Sequence, residues 1–288
     1  MESLEHLRRQ FDGFEDLQSV VRTMKTLAAV NIHHYEQAVR ALSVYYRTVE
    51  LGLHVVLRDQ QWQPRRPLPP DAPAGAVVFG SDQGLCARFN EDVSEHAVEA
   101  FAQRRRPRVL AVGARVAYLL EAAGFEIDGR LTVPGSATGI TACVQKALVV
   151  IDGWRADGIE RVDLVFGRHL SSSAYEPVTQ QLMPVDFSAF RDLESEPWGS
   201  KVIPAYSMER DALLAALLRQ YFFVAVFRAS AESLASETGA RLVAMQAAEK
   251  SLGERQGELG MALRRARQDQ ITAELLDLFA GYELSSDA

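Results

Sequence analysis

The residues of this chain with the types and spacing to do chemistry gather at two turns. The apolar run Ala76-Val77-Val78-Phe79 stops at Gly80-Ser81-Asp82-Gln83-Gly84, where a strand-to-helix turn would cradle phosphate in a nucleotide-binding protein. Such a cradle needs GxGxxG, or GxxxxGK[ST] with its lysine, so that backbone N–H groups can reach the anion. Neither pattern occurs in the chain, and no cofactor is expected. The second turn, His169 with Ser171, Ser172 and Ser173, follows the apolar run 162–166 and reads as a polar surface turn. His33-His34 lacks a third ligand, and Cys86 and Cys143 belong to no CxxC or His/Cys cluster, so neither a metal site nor a disulfide is expected. Asp82, Glu91 and Asp92 resemble turn and helix-start residues more than an acid–base pair. No catalytic set emerges.

The elements that must carry these turns are announced by proline. All eleven prolines lie from Pro64 to Pro204, and a proline in a helix interior costs about 3 kcal/mol. Two long proline-free arms therefore flank a compact middle. In the first arm Leu4, Leu7, Phe11, Phe14, Leu17, Val21, Met24 and Ala28 recur every three or four residues, one apolar stripe of a helix. Tyr35, Leu42, Val49 and Val56 continue it in steps of seven. The second arm repeats Met245, Leu252, Leu259, Ala266 and Ala273 at the same interval, flanked by Leu242 and Leu263, a narrow coiled-coil seam. Gly253, Gly257 and Gly260 mark weak spots or close approaches of another backbone. The second arm is also the longer, so an antiparallel pairing leaves about a dozen residues of its C-terminal end unpaired, and such an end should be buried inside something else.

The middle alternates strand and helix patterns: strands at 76–79, 108–112, 125–133 and 162–166, and helices from about Glu91, at 114–123 and at 140–156. A further strand is expected at 177–184, and a loop at 197–204 leading into the second arm. That alternation predicts βαβ units on a parallel sheet. The expected class is thus α/β, a Rossmann-like parallel domain with a long antiparallel two-helix coiled coil. The domains are 1–60, 61–204 and 205–288. A net charge of −7 argues against nucleic acid. The charged N-terminal run is unlike a signal peptide, and no uninterrupted apolar run reaches the 18 residues of a membrane span.

Four segments in order resemble the gamma subunit of F-type ATP synthases, the central rotor shaft. Residues 81–90, Ser-Asp-Gln-Gly-Leu-Cys-Ala-Arg-Phe-Asn, are similar to the family's S-[TD]-x-x-G-L-C-G-G-x-N. Residues 236–248, opening Ser-Glu-Thr-Gly-Ala-Arg-Leu-Val-Ala-Met, resemble S-E-x-x-A-R-M-x-A-M-x-x-A. Residues 265–275, containing Arg267-Gln268, Ile271-Thr272 and Glu274, resemble N-x-x-R-Q-x-x-I-T-x-E, and Met24-Lys25-Thr26-Leu27-Ala28-Ala29 resembles M-x-M-V-A-A. The chain departs from the family where Asn31 replaces a lysine, where Ala87-Arg88 stands for Gly-Gly, and in its tail, 278–283. The departures suggest a divergent branch.

The resemblance implies a non-catalytic subunit whose arms enter the hexamer of alpha and beta subunits. Its α/β domain would stand on the membrane c-ring and bind the epsilon subunit. Rotation would couple proton or sodium flow to ATP synthesis or hydrolysis, on the cytoplasmic face of a bacterial inner membrane. By position, Arg241, Gln268 and Thr272 match residues that contact the hexamer, and Met24 matches one in the coupling region. Rival readings are an α/β enzyme with dimerising arms, which predicts catalytic residues that are missing, and a coiled-coil adaptor, which leaves the four ordered motifs unexplained.

Overall fold

The computed structural model describes residues 4–57, 68–69, 72–102, 106–171, 174–187 and 205–286; the side chains of 277 and 280–286 are outside that description. The two proline-free arms are two helices, α1 (Leu4–Leu57, 54 residues) and α5 (Arg210–Ser286, 77 residues). Between them lie β1 (Ala74–Phe79), α2 (Phe89–Phe101), β2 (Arg108–Val112), α3 (Ala114–Ala122), β3 (Ile127–Leu131), α4 (Ile140–Ala156), β4 (Arg161–Ser171) and β5 (Ala174–Met183). The loop expected at 197–204 lies outside the described residues, as do Ser172, Ser173 and most of the proline cluster. By its contacts the chain divides into two units, Ala28–Arg241 and Met1–Leu27 with Leu242–Ala288.

In the larger unit five strands form one sheet in the order β3-β2-β1-β4-β5. The first four are parallel, as the strand–helix alternation requires. The fifth corrects the all-parallel expectation. β5 returns antiparallel along β4, because two residues cannot make the crossover that a parallel neighbour demands. Both faces of the sheet are buried. Val77, Phe79, Leu110, Leu164 and Phe166 pack with α4, through Ile140, Val144, Ala147 and Trp154. Ala76, Val78, Val109, Ala111 and Val165 pack with Phe89, Val93 and Ala97 of α2 and Val116 and Leu120 of α3. Strands covered on both sides read as unbroken apolar runs, which is why 76–79 and 162–166 stood out.

Residues 229–240 of α5 are buried on every side. By length and composition part of α5 is apolar enough to cross a membrane, and 22% of that apolar segment is buried; core helices share such a composition, and the 229–240 stretch lies inside protein. It carries Ser230, Glu232, Ser233, Ser236, Glu237 and Thr238, so its partners are polar as well as apolar. Ser233 Oγ donates to the carbonyl of Phe79 at the end of β1, at 3.3 Å, and Ser236 Oγ donates to that of Gly167 in β4, at 2.9 Å.

In the smaller unit, α1 and α5 run antiparallel. Lys25 Nζ meets Glu249 at 2.5 Å with Arg22 beside it, and the ammonium holds the Glu249 carboxyl below its usual range. Gln18 lies opposite Gly253 and Phe11 opposite Gly260, seven residues back along α1 and seven forward along α5. These two glycines approach side chains, not another backbone. The expected stripe needs one correction: Leu17 is exposed, and Gln18 takes its place on the seam.

Candidate partner-binding site

A sheet whose connections leave β1 one way and β4 the other has a crevice between those strands at their C-terminal ends, where α/β proteins bind ligands. Here that crevice is filled. Ser233 and Ser236 cap the carbonyls of Phe79 and Gly167 with their hydroxyls, so α5 occupies the space a nucleotide would take. The turn between β1 and α2 is unsuited to an anion as well, with Glu91 and Asp92 in the first turn of α2. The missing phosphate loop and the filled crevice are one fact seen at two levels.

What the turn does instead is hold itself in a strained shape. Asn90 accepts from the Ser81 amide at 2.9 Å through Oδ1, and donates to Ser81 Oγ at 2.8 Å and towards Cys86 Sγ at 3.3 Å through Nδ2. The Asp82 carboxylate accepts from the amides of Ala114 at 2.9 Å and Val133 at 2.8 Å, tying the turn to α3 and to the end of β3. Leu85 (φ +61°) and Ala87 (φ +50°) are the two non-glycine residues with left-handed backbone among the described residues. Each costs about 1–2 kcal/mol. Ala87 stands where the family motif has glycine, and Leu85 is 62% exposed, so burial of its side chain does not offset the strain.

Arg241 closes this loop from α5. Its Nη2 pairs with Glu237 Oε1 at 2.6 Å and also reaches the carbonyls of Gln83 at 3.3 Å and Gly84 at 3.4 Å. The side chain is 16% exposed, and its Nε is buried with no partner. Burial raises the Glu237 carboxyl above its ordinary value, and the guanidinium opposes that shift. Hydrogen bonds to charged groups contribute roughly 1.5–3 kcal/mol at good geometry. The two carbonyl contacts are long for such bonds, so their sum is about the strain they oppose.

The other expected contacts lie in the smaller unit. Met24 is half-buried on α1. Gln268 and Thr272 are exposed on one face of α5, the Thr272 hydroxyl donating to the Gln268 carbonyl at 2.9 Å. One heptad beyond the Phe11–Gly260 level takes Leu4, the first residue of α1, opposite Arg267. Among the described residues, none of α1 lies beside α5 from Gln268 onward, and Ile271, Leu275, Leu276, Leu278 and Phe279 are each between 49% and 72% exposed. Ala273, expected on the seam, is exposed because the seam has ended.

The remaining candidates are structural. His169 Nε2 lies 3.1 Å from Glu36 Oε1 and is 12% exposed, which joins β4 to α1 and replaces the surface turn expected there. His33 is exposed and contacts Gln37. Cys86 and Cys143 are buried and free. Among the described residues no cluster could hold a metal ion. The sequence reading missed the tether between Arg241 and the loop carbonyls. An arginine four residues after a glutamate on an otherwise buried helix was its one signal.

The chain matches the family model described as ATP synthase over residues 3–283. It is 28% identical to the ATP synthase gamma chains of Desulforamulus reducens and Geotalea uraniireducens, over 98% of this chain and 98% and 99% of theirs. Its fold is similar to a chain of the Euglena gracilis mitochondrial ATP synthase in an OSCP/F1/c-ring structure (TM-score 0.65, 17% identity, 97% of this chain and 93% of that one). It is similar too to a chain of that enzyme's rotor (TM-score 0.62, 16% identity, 93% and 98%). A match along nearly the whole length, on a sheet whose ligand crevice is filled by its own helix, places this chain in the ATP synthase family, with the architecture of its gamma chain.

Proposed function

We propose that this chain is the central rotor stalk of the F1 sector of an ATP synthase and couples ion flow to ATP synthesis or hydrolysis by rotation. The unpaired end of α5 carries the reading. An apolar helix end that the described residues leave bare is stabilised once a partner covers it, and a sleeve formed by the alpha and beta subunits is that partner. Gln268 and Thr272, one turn apart on one face, reach the same partner surface, Arg241 belongs to the hexamer interface as well, and Met24 serves the coupling region. The α/β domain, 61–204, meets the epsilon subunit and the c-ring. The chain works as a peripheral subunit on the cytoplasmic face of a bacterial inner membrane. The division into arms 1–60 and 205–288 and a domain 61–204 follows the same logic of shaft and foot. ATP is bound and hydrolysed by the partners; this chain changes their shape by turning.

The test replaces Gln268 and Thr272 together by alanine in the full-length chain and mixes it with alpha and beta subunits. Weaker co-elution and slower ATP-driven rotation, with an unchanged unfolding midpoint for the chain alone, is the expected result. Assembly and rotation at wild-type levels would remove both residues from the interface.

A further inference from the structure

The 81–88 loop is fastened at both ends, and two side chains hold its tip carbonyls: Ser81 Oγ donates to that of Gln83 at 2.7 Å, and Arg241 reaches those of Gln83 and Gly84. Ser81, Asp82, Cys86 and Asn90 are bound to one another or to the amides of Ala114 and Val133. Arg241 Nη2 joins Ser81 on the Gln83 carbonyl, at 3.3 Å, and reaches the Gly84 carbonyl at 3.4 Å. A turn with two left-handed non-glycine residues relaxes when its tip is released, unless something opposes it. Arg241 does so, from a helix that is buried throughout its 229–240 stretch. What the loop offers in return is Leu85, a large apolar side chain standing 62% exposed on the strained segment.

We propose that Arg241 is a positioning residue, which sets the loop tip so that Leu85 faces the alpha and beta hexamer and which acts on coupling through Leu85. Its Nη2 is spent inside the chain, on Glu237, Gln83 and Gly84. The planar guanidinium fixes Nη2 between the Glu237 carboxylate and the two carbonyls, which a lysine ammonium on a flexible stem cannot do in the same geometry. The proposal rests on the rotor reading above, and its test separates the two.

Three full-length chains are needed: Arg241→Lys, Leu85→Ser and the pair together. Lysine keeps a cation beside the buried Glu237, so the chain stays folded while the fork is lost. In the chain alone, hydrogen exchange at the amides of Gly84 to Ala87 should quicken about ten-fold or more in Arg241→Lys, with β1 and β4 amides unchanged. Unchanged exchange in the loop overturns the tether. In complexes reassembled in vesicles, each single variant should lower ions pumped per ATP several-fold, and the double variant should fall no further than the worse single one. Losses that multiply would mean that Arg241 and Leu85 act independently, and the proposal fails. If the wild-type chain supports no ATP-driven pumping, the rotor reading falls, and the exchange experiment still judges the tether.

Discussion

A single methyl group placed at Gly167 tests whether α5 lies in the sheet's crevice in solution. An added Cβ there would stand 2.7 Å from Phe89 Cε2 and 3.2 Å from Ser236 Cβ. The first distance is a clash with a ring that is fully buried in the core. The second presses on a helix that the sheet holds through the Ser236–Gly167 hydrogen bond. Neither neighbour can swing away, so Gly167→Ala should behave as overpacking and cost about 1–3 kcal/mol. For a chain of this size that lowers the melting temperature by roughly 2–4 °C per kcal/mol. The control is the same methyl at Gly153 in α4, where a Cβ meets nothing within 4 Å. There the change relieves a helix-interior glycine and should stabilise by about 1 kcal/mol. Denaturant unfolding of both full-length variants, read against wild type, gives the two signs. If Gly167→Ala matches wild type while Gly153→Ala stabilises, α5 does not press on β4 and the filled-crevice account is wrong.

Two further outcomes follow from the same geometry. Ala87→Gly removes a methyl from a left-handed position and should raise stability by about 1 kcal/mol; a lower melting temperature would show that Ala87 contributes through packing instead. Burial pushes the Cys143 thiol up to about 11, from an ordinary value of 9.0. The raised value means the native state keeps a proton that the unfolded chain releases. Its contribution is therefore complete below pH 9 and is lost between pH 9 and about 11, with a slope approaching 1.4 kcal/mol per pH unit. Unfolding free energies of wild type and Cys143→Ala across that window should diverge in slope; parallel curves would refute the assignment.

Much of the fold could be read from the sequence because the signals were local. Proline's absence and the three- and seven-residue steps are properties of one helix at a time, and they located α1 and α5. The apolar runs 76–79 and 162–166 announced strands buried on both faces. Leu17 and Gln18 exchanged places on the stripe because the seam's path depends on where the partner helix lies. The direction of β5 depended on a two-residue connection, which sequence periodicity does not report. His169 looked like part of a surface turn because its partner, Glu36, is 133 residues away.

The candidate site divides the same way. Composition and spacing alone showed that neither GxGxxG nor GxxxxGK[ST] occurs in the sequence. They also determined that the second arm outruns the first, since both follow from which residues stand next to which. Only the tertiary structure decided that the sheet's ligand crevice is closed by α5 and that Arg241 is spent on Glu237 and the loop carbonyls. It decided too that Leu85 is held outward on a strained turn. Those outcomes depend on groups distant in the chain meeting within about 3 Å, and the free energy that favours the meeting appears only once the sheet and α5 have packed together.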